Sequence, residues 1–345
     1  MHTDVAIVGA GPVGLMLANL LSLEGIDAAV IEKDHVTVAT SRAIGITPPS
    51  LEILEKLGLH ETFLREGVPV DTVKVHGTRR LLGTVSFEGI AGPYPFILSL
   101  PQMKTEELLY SRLRGSGTVR LMMGSEVTAL RREEDRISLL AEPVEEAASP
   151  GEAAPGEERP VEISARYLCA CDGFRSTVRR LTGLPTAGRR YRDTFLMGDY
   201  RDRTGYEREA HLFFTRHGSV ESFPLPGNRR RWILQTDEYM AEPEAGYIER
   251  EVAFRAGFQL RAGDREWQSP FYVQKYIMPD FSTGPILFLG DAAHTISPIG
   301  GQGMNTGFAD AEFAAVLLQR ALEGSSAREG SAGTPNERFQ RYRTF

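Results

Sequence analysis

Residues 290–307 hold the side chains of this sequence that are best suited to binding or chemistry. They read Gly-Asp-Ala-Ala-His-Thr-Ile-Ser-Pro-Ile-Gly-Gly-Gln-Gly-Met-Asn-Thr-Gly. The preceding run, 285–289, is apolar and typical of a buried strand, and the following run, 308–318, has the apolar spacing of a helix. Asp291 is therefore predicted at the end of a strand, before a turn where a ligand can approach backbone N–H groups and the positive end of a helix dipole. An ordinary strand-to-helix connection is the alternative, but it does not explain the four glycines between 290 and 303.

A second glycine-rich turn follows the first strand of the chain. A hydrophobic run leads into Gly9-Ala-Gly11-Pro-Val-Gly14, a helical run follows, and a second strand ends in Glu32. In this setting Gly-x-Gly-x-x-Gly is the dinucleotide-binding fingerprint: Gly9 permits the tight turn, Gly11 admits a pyrophosphate and Gly14 allows close packing of helix on strand. Glu32 would accept hydrogen bonds from a ribose with free hydroxyls and repel a 2′-phosphate, so the site suits the adenosine half of FAD or NAD, not NADP. The other predicted nucleotide contacts here are Pro12, Val13 and Lys33.

A third segment separates FAD from NAD. A strand-like run at 165–171 leads into Asp172-Gly-Phe-Arg-Ser-Thr-Val-Arg179. With this segment the chain resembles the flavoprotein aromatic hydroxylases, the single-component FAD monooxygenases of the para-hydroxybenzoate hydroxylase type. Three motifs carry the resemblance in the family's order over about residues 1–320: the N-terminal fingerprint with its acid, the central Cys-Asp-Gly-x-x-Ser-x-Val-Arg, and the late Gly-Asp-Ala-Ala-His with its proline and glycines.

The resemblance implies a fold and a division into domains. The fold class is α/β, a Rossmann-like FAD-binding fold of the GR2 type with an interleaved, sheet-rich substrate domain. The discontinuous FAD-binding domain is expected at 1–72, 101–190 and 278–345, and the substrate-binding β-sheet domain at 73–100 and 191–277.

Two stretches differ from the rest in composition. Residues 141–160 contain six Glu and four Pro and almost no large apolar side chain, so they are predicted to form a flexible hairpin tip. Residues 324–335 are a second flexible stretch, followed by a short basic helix at 336–343. Members of the family that the chain resembles normally continue through further helices, so a truncated or unusually short member is expected.

The resemblance also implies roles for individual residues that bind FAD. Arg42 is expected along the pyrophosphate and ribityl chain, with a surface arginine as the alternative. Gln102 is expected at the ribityl chain, and Asp291 at the ribityl hydroxyls. Asp172 is expected to contact FAD and the transiently bound NAD(P)H, and its carboxylate can also cap a helix that starts near Ser176.

The flavin ring is expected at the turn and helix start between 298 and 305. Backbone N–H groups of Met304 and Asn305 are expected to stabilise negative charge at the N1/C2 carbonyl region of reduced flavin. The carbonyl of Pro298 is expected beside the substrate. The predicted catalytic set is Pro298, Gly300, Met304 and Asn305, and the flavin contacts also include Gly301 and Gly303.

The family reaction requires little side-chain chemistry. NAD(P)H reduces the flavin, which reacts with O2 to give a C4a-hydroperoxide, and this transfers OH to an aromatic or polycyclic, phenolic or polyketide-like molecule. FAD is thus the expected cofactor, NADPH or NADH the transient reductant, and O2 a co-substrate. No side-chain acid or base is required, because the cofactor carries the difficult step. A structural role for His294, in a hydrogen bond at the end of the strand, is at least as well supported as a catalytic role.

The substrate pocket is expected on the second sheet-rich stretch. Large side chains on its strands are the candidates, although strand aromatics belong to the core more often than to a ligand site. The candidates are Phe195, Met197, His211, Phe213, Phe223 and Tyr272, and the predicted substrate contacts are His211, Phe213, Phe223 and Pro298.

Composition narrows the class of protein. A chain of 345 residues with a net charge of −7 argues against nucleic acid as the main partner. Cys169 and Cys171 lie on one face of a strand and are predicted to be buried thiols, not a disulfide. The seven histidines show no metal-ligand spacing, and no apolar run reaches membrane-spanning length, so a cytoplasmic protein without a metal is expected. The sequence does not indicate an oligomeric state.

Other functions share parts of this pattern. An FAD-dependent reductase of an isoprenoid or quinone-like substrate has the same FAD motifs, and a truncated, non-catalytic flavin-binding protein is a further alternative. Flavin halogenases carry a Trp-x-Trp-x-Ile-Pro element, whereas Trp232 and Trp267 are isolated here. A simple NAD dehydrogenase leaves Asp172 and Asp291 unexplained. NADPH and NADH are not distinguished, nor are hydroxylation, epoxidation and Baeyer–Villiger insertion.

Overall fold

The computed structural model of the chain describes residues 1–35, 43–78, 80–144, 159–297 and 300–324. The strands are β1 (His2–Val8), β2 (Ala28–Ile31), β3 (Gly45–Ile46), β4 (Val68–Val70), β5 (Thr72–His76), β6 (Leu81–Ser86), β7 (Ile97–Ser99), β8 (Val119–Met122), β9 (Ser125–Arg132), β10 (Ile137–Pro143), β11 (Val161–Ala170), β12 (Ala187–Arg201), β13 (Ala210–Thr215), β14 (Gly218–Leu225), β15 (Arg229–Thr236), β16 (Arg265–Ile277), β17 (Ser282–Thr283), β18 (Ile286–Phe288) and β19 (His294–Thr295). The helices are α1 (Pro12–Leu23), α2 (Pro48–Lys56), α3 (His60–Glu66), α4 (Gln102–Leu113), α5 (Thr177–Thr182), α6 (Tyr247–Ala256) and α7 (Gln302–Leu322), and short 3-10 helices cover Ala262–Asp264 and Gly290–Ala292.

The first sheet is mainly parallel and contains β1, the strand that precedes the dinucleotide fingerprint. Its order is β17-β18-β11-β1-β2-β8, and β18, β11, β1, β2 and β8 are parallel. β2, β18 and residues 5–8 of β1 are wholly apolar and buried, as expected of parallel strands covered on both faces. Because parallel strands end at one edge, the residues after β1, β2, β11 and β18 come together there. The ribbon of β9 and β10 extends this sheet from β11.

The second sheet is mainly antiparallel and has eight strands in the order β19-β16-β12-β15-β14-β13-β5-β6. One face packs under α6, where the side chains of Trp232, Phe213 and Val252 belong to one buried cluster. The other face carries a separate cluster that includes Phe195 and Phe271. A parallel nucleotide-binding sheet beside an antiparallel sheet confirms the predicted α/β fold class.

A small third sheet joins the two larger ones. It has the order β3-β7-β4, so the strand near residue 98 pairs with residues 45–46 and 68–70, not with β5 or β6. The Ser99 hydroxyl donates to the carbonyl oxygen of Pro224 on β14 at 2.6 Å. The segment 73–100, predicted as one part of the substrate domain, is therefore divided between two sheets.

Several predictions fall on residues outside the described ranges. These are Arg42, Pro298, most of the 141–160 insertion, and the C-terminal helix at 336–343. Cys169 and Cys171 are both buried and unpaired, as predicted. Among the described residues, no helix combines the length and the apolar character that a membrane crossing requires.

Candidate functional site

A cavity of about 1290 Å³ lies between the carboxyl edge of the first sheet and the open face of the second. It reaches from the fingerprint turn after β1 to the aromatic residues of β12, β14 and β16. The predicted site residues that line it are Gly9, Gly11, Pro12, Val13, Glu32, Lys33, Gln102, Asp172, Phe195, Met197, Phe223, Tyr272, Asp291, Gly300, Gly301, Gly303 and Met304.

The fingerprint turn has one packed side and one open side. A Cβ atom on Gly14 would overlap the carbonyl oxygen of Gly9, so this glycine allows α1 to lie close to β1. A Cβ atom on Gly11 would meet nothing within 4 Å. Gly11 caps α1, with Pro12 in the first turn, so the positive end of the helix faces the cavity. This geometry fits a bound pyrophosphate.

Glu32 and a pair of residues on α4 form the next part of the cavity wall. The Glu32 carboxylate accepts backbone N–H groups from Ala10 at 2.7 Å and Asp34 at 3.0 Å. Gln102 Nε2 donates to Glu106 Oε1 at 2.8 Å. Burial raises the pKa of the Glu106 carboxyl, the hydrogen bond from Gln102 lowers it, and the charge of Glu32 adds to the rise. Sequence reasoning gave Glu106 no role, although its i, i+4 spacing from Gln102 places both on one helix face.

Asp172 lies over the start of α5. Its Oδ2 accepts from the backbone N–H of Val178 at 3.0 Å, whereas the capping side chain is that of Ser176, which accepts from Arg179 N. Both side chains therefore accept backbone N–H groups at the start of α5: Ser176 is the N-cap residue, and Asp172 adds the helix-start hydrogen bond that was expected of its carboxylate. Asp172 Oδ1 is buried and has no hydrogen-bond partner among the described residues. Burial raises the pKa of this carboxyl, and the hydrogen bonds from the helix start oppose the rise.

Arg179, the last residue of the central motif, connects two of the three motif turns. Its Nη1 donates to the carbonyl oxygen of Ala292 at 2.8 Å, and its Nη2 donates to the carbonyl oxygen of Phe174. The side chain thus fixes the turn that contains Asp291 relative to the turn that follows Asp172. Arg179 belongs to the central motif, but the motif does not indicate this contact, because the partner lies 113 residues away.

Asp291 and His294 leave the same turn in different directions. The Asp291 side chain is open to the cavity, and surrounding protein raises the pKa of its carboxyl while His294 opposes this. His294 is buried, and its Nε2 lies 2.6 Å from Asp310 Oδ2, which also accepts from the backbone N–H of Gly290 at 2.9 Å. The geometry matches the structural interpretation of His294. Asp310, on α7, was missed from the sequence.

The buried His294–Asp310 pair predicts a pH dependence of stability. Burial alone lowers the pKa of His294, but the hydrogen bond and charge of Asp310 raise it above 6.5 in total. Because the folded-state pKa is the higher one, the pair's stabilisation is complete below about pH 6.5 and is lost as the pH rises through the raised value. We expect His294→Gln to lower the free energy of unfolding more at pH 6 than at pH 9 in urea titrations.

The matched variant for this prediction is Asp310→Asn, which removes the other member of the pair. Its free energy of unfolding should also fall more at pH 6 than at pH 9. The double variant should lose little more stability than either single variant. An equal loss of stability at pH 6 and pH 9 for His294→Gln would contradict the interpretation.

The start of α7 is fixed by one side chain. Gly300 and Gly301 have φ angles of 83° and 65°, which bring the chain round to the first helical residue, Gln302. Asn305 Nδ2 donates to the carbonyl oxygens of Gly45 at 2.9 Å and Gly301 at 2.7 Å. Asn305 Oδ1 also accepts from a backbone N–H, that of the residue after β3, at 2.9 Å. The prediction placed Asn305 here for its backbone, whereas its side chain positions the turn.

Two of the predicted substrate contacts lie on the wrong face of the sheet. His211 and Phe213 do not line the cavity, because β13 turns Leu212 and Phe214 towards it instead. His211 stacks on Tyr206 with ring centroids 3.7 Å apart, and Phe213 belongs to the buried cluster under α6. The expectation for His211 and Phe213 was therefore wrong, while Phe223 does line the cavity.

Comparisons with known proteins agree with this arrangement. Residues 2–341 match a family model described as the FAD binding domain. The chain is 32% identical over 338 residues to a 6-methylpretetramide 4-monooxygenase of Streptomyces rimosus, covering 94% of this chain and 57% of that protein. It is 30% identical over 315 residues to a rifampicin monooxygenase of Streptomyces venezuelae, covering 89% and 62%. The chain thus spans about three-fifths of the length of these relatives.

Solved structures share the fold. The anhydrotetracycline hydroxylase OxyS of Streptomyces rimosus superposes with a TM-score of 0.76 at 28% identity, covering 99% of this chain and 66% of that one. A p-nitrophenol 4-monooxygenase of Pseudomonas putida, at 22% identity and a TM-score of 0.82, covers 99% and 84% and shows the fold alone. The resemblance inferred from the three sequence motifs is confirmed, and the chain belongs to the family whose model is described as the FAD binding domain.

Proposed function

We propose that the protein is an FAD-dependent monooxygenase that uses NAD(P)H and O2 to hydroxylate an aromatic or polycyclic small molecule. The observation that carries this proposal is one continuous cavity of about 1290 Å³, which connects the dinucleotide fingerprint with an aromatic-lined sheet face. Relatives named for 6-methylpretetramide, rifampicin and anhydrotetracycline support an aromatic, polyketide-like substrate.

The residues of the cavity fit FAD. The open side of Gly11 leaves room for the pyrophosphate, and the buried, unpartnered Oδ1 of Asp172 can accept a hydrogen bond from the cofactor. Glu32 would hold the adenosine ribose, while Gln102 and Asp291 would hold the ribityl chain. The start of α7 at Met304 would face the flavin ring.

Bound FAD, once reduced by NAD(P)H, supplies the activation of O2 for oxygen transfer. The chain's own residues supply position and electrostatics. The N–H groups at the start of α7 carry partial positive charge, which stabilises negative charge beside Met304 and Asn305. Arg179 and Asn305 hold the surrounding turns through fixed hydrogen bonds. The apolar wall around Phe195, Phe223 and Phe271 excludes water from the reacting groups.

Oxygen uptake tests this function. The FAD-loaded protein is incubated with NADPH or NADH, with and without a panel of phenols and polycyclic quinones. We expect one compound class to stimulate reductant oxidation and oxygen uptake together. Substrate reduction without oxygen uptake would instead support a flavin reductase, and bound FAD with neither reaction would support a non-catalytic flavin-binding protein.

A further inference from the structure

We propose that Glu221 selects the substrate by its polar group: its carboxylate accepts a hydrogen bond from a ring hydroxyl or amino group, so the site takes phenols and aromatic amines and rejects aromatic carboxylates. The inference rests on the proposed function, because it names the substrate class of the same cavity. It concerns a residue to which neither the motifs nor the flavin contacts give a role.

Glu221 lies at the centre of the substrate wall. Alternation along β14 turns Ser219, Glu221 and Phe223 into the cavity, whereas the intervening Val220 and Ser222 are fully buried on the other face. In the sheet register, the residues opposite Glu221 are Leu212 on β13 and Ile233 on β15. Both also line the cavity, so the carboxylate stands in an apolar part of the wall.

The other acidic side chains on this face have protein partners. Asp193 accepts from Gln235 Nε2 at 2.8 Å, and Asp199 forms a two-point ion pair with Arg231 at 2.6 and 2.8 Å. Within the described part of the chain, no hydrogen bond or ion pair is formed by the Glu221 side chain. Its acceptor atoms are therefore available to a ligand.

Basic side chains are far fewer on the cavity wall than acidic ones. The basic residues among the described lining are Lys33 and Arg175, and both belong to the nucleotide half, beside Glu32 and Asp172. The substrate half of the described lining therefore offers no cation to neutralise a ligand carboxylate. Two like charges in a poorly solvated cavity repel strongly, so an anionic ring compound would be rejected.

A ligand donor would relieve an unfavourable state of Glu221. Burial of the side chain among apolar neighbours raises the pKa of its carboxyl to about 6. Near neutral pH the group is still mostly ionised, and an ionised carboxylate in such surroundings is costly unless it accepts hydrogen bonds. A ring O–H or N–H provides that bond, and charge-assisted hydrogen bonds are among the stronger ones.

Calorimetric titration of the oxidised, FAD-loaded protein tests the proposal without turnover. The probes are 2-naphthol and 2-naphthoate, which differ in the polar group and share the ring. We expect wild-type protein to bind naphthol in preference. Glu221→Gln, which keeps the shape but loses the charge, should weaken naphthol binding by about tenfold and narrow the preference over naphthoate. Asp193→Asn, the matched change of a partnered carboxylate in the same cavity, should leave the preference close to the wild-type one.

Three results would overturn the proposal: wild-type preference for naphthoate, no binding of either probe, or an unchanged preference in Glu221→Gln. FAD content and thermal stability of each variant verify folding. The proposed reaction can fail separately, because naphthol preference with no oxygen uptake would reject the monooxygenase and keep the recognition by Glu221. Substrate-stimulated oxygen uptake by the wild-type protein, together with an unchanged preference for naphthol in Glu221→Gln, would keep the monooxygenase and reject the recognition by Glu221.

Discussion

Gly14→Ala is expected to destabilise the protein by about 2 kcal/mol or more, because the new methyl group has no space at the start of α1. Its Cβ atom would overlap the carbonyl oxygen of Gly9, a backbone atom that cannot rotate away. The overlap forces α1 away from β1 and so displaces the residues around Gly11 as well. Urea unfolding of the FAD-free protein measures the loss of stability, and flavin fluorescence quenching measures the accompanying loss of FAD affinity.

Gly11→Ala is the matched control, since it adds the same methyl group three residues earlier in the same motif. Gly11 has φ of −70°, which alanine adopts readily, and a Cβ atom there meets nothing within 4 Å. We expect the FAD-free protein to keep its stability, while FAD affinity falls at least about tenfold because the methyl group occupies the pyrophosphate position. Unchanged FAD affinity in Gly11→Ala would contradict the assignment of this turn to the pyrophosphate.

Asn305→Ala is expected to cost about 3 kcal/mol of stability and to weaken FAD binding by at least about tenfold. The buried Asn305 side chain makes three hydrogen bonds, at 2.9, 2.7 and 2.9 Å, to backbone groups of Gly45, Gly301 and Thr47. Alanine leaves those partly buried backbone groups without their side-chain partner and frees the turn before α7. The measurements are again urea unfolding and FAD titration.

Thr306→Ala controls for the loss of helix side-chain bonding. Thr306 is the half-buried neighbour of Asn305, and its hydroxyl donates to the carbonyl oxygen of Gln302 within the same helix. We expect a change in stability within about 0.5 kcal/mol and unchanged FAD affinity. If Asn305→Ala behaves like Thr306→Ala, the side chain does not position the turn.

The motif turns could be predicted because each depends on residues close in sequence. A hydrophobic strand followed by Gly9 and Gly11, or by Asp291, already specifies a turn at the end of a strand. Since parallel strands end at one edge, the convergence of these turns also follows from the motifs. The contacts that lock the turns together join distant residues: Arg179 to Ala292 across 113 positions and Asn305 to Gly45 across 260. No local pattern specifies such pairs.

The sequence also does not predict which face of β13 lines the cavity, and here the reason is a different one. Alternation establishes that Phe213 and Phe214 point in opposite directions, but two phenylalanines carry the same hydrophobic preference. The packing of α6 determines which phenylalanine is buried. It covers Phe213, and Phe214 remains 53% exposed beside the cavity. The role of Glu221 could not be predicted for a similar reason. Whether its carboxylate has a hydrogen-bond or ion-pair partner depends on which side chains of the neighbouring strands lie on the same face of the sheet.

Incorporation of labelled oxygen distinguishes the proposed monooxygenase from a reductase or a flavin-binding protein, because oxygen transfer requires FAD and the aromatic substrate to meet in one cavity. The FAD-loaded protein is supplied with NAD(P)H, the phenolic compound that best stimulates oxygen uptake, and 18O2, and the product is analysed by mass spectrometry. We expect one 18O atom in each molecule of product, and none when the label is supplied as water. Product that carries no 18O from O2, or that is only reduced, would contradict this expectation.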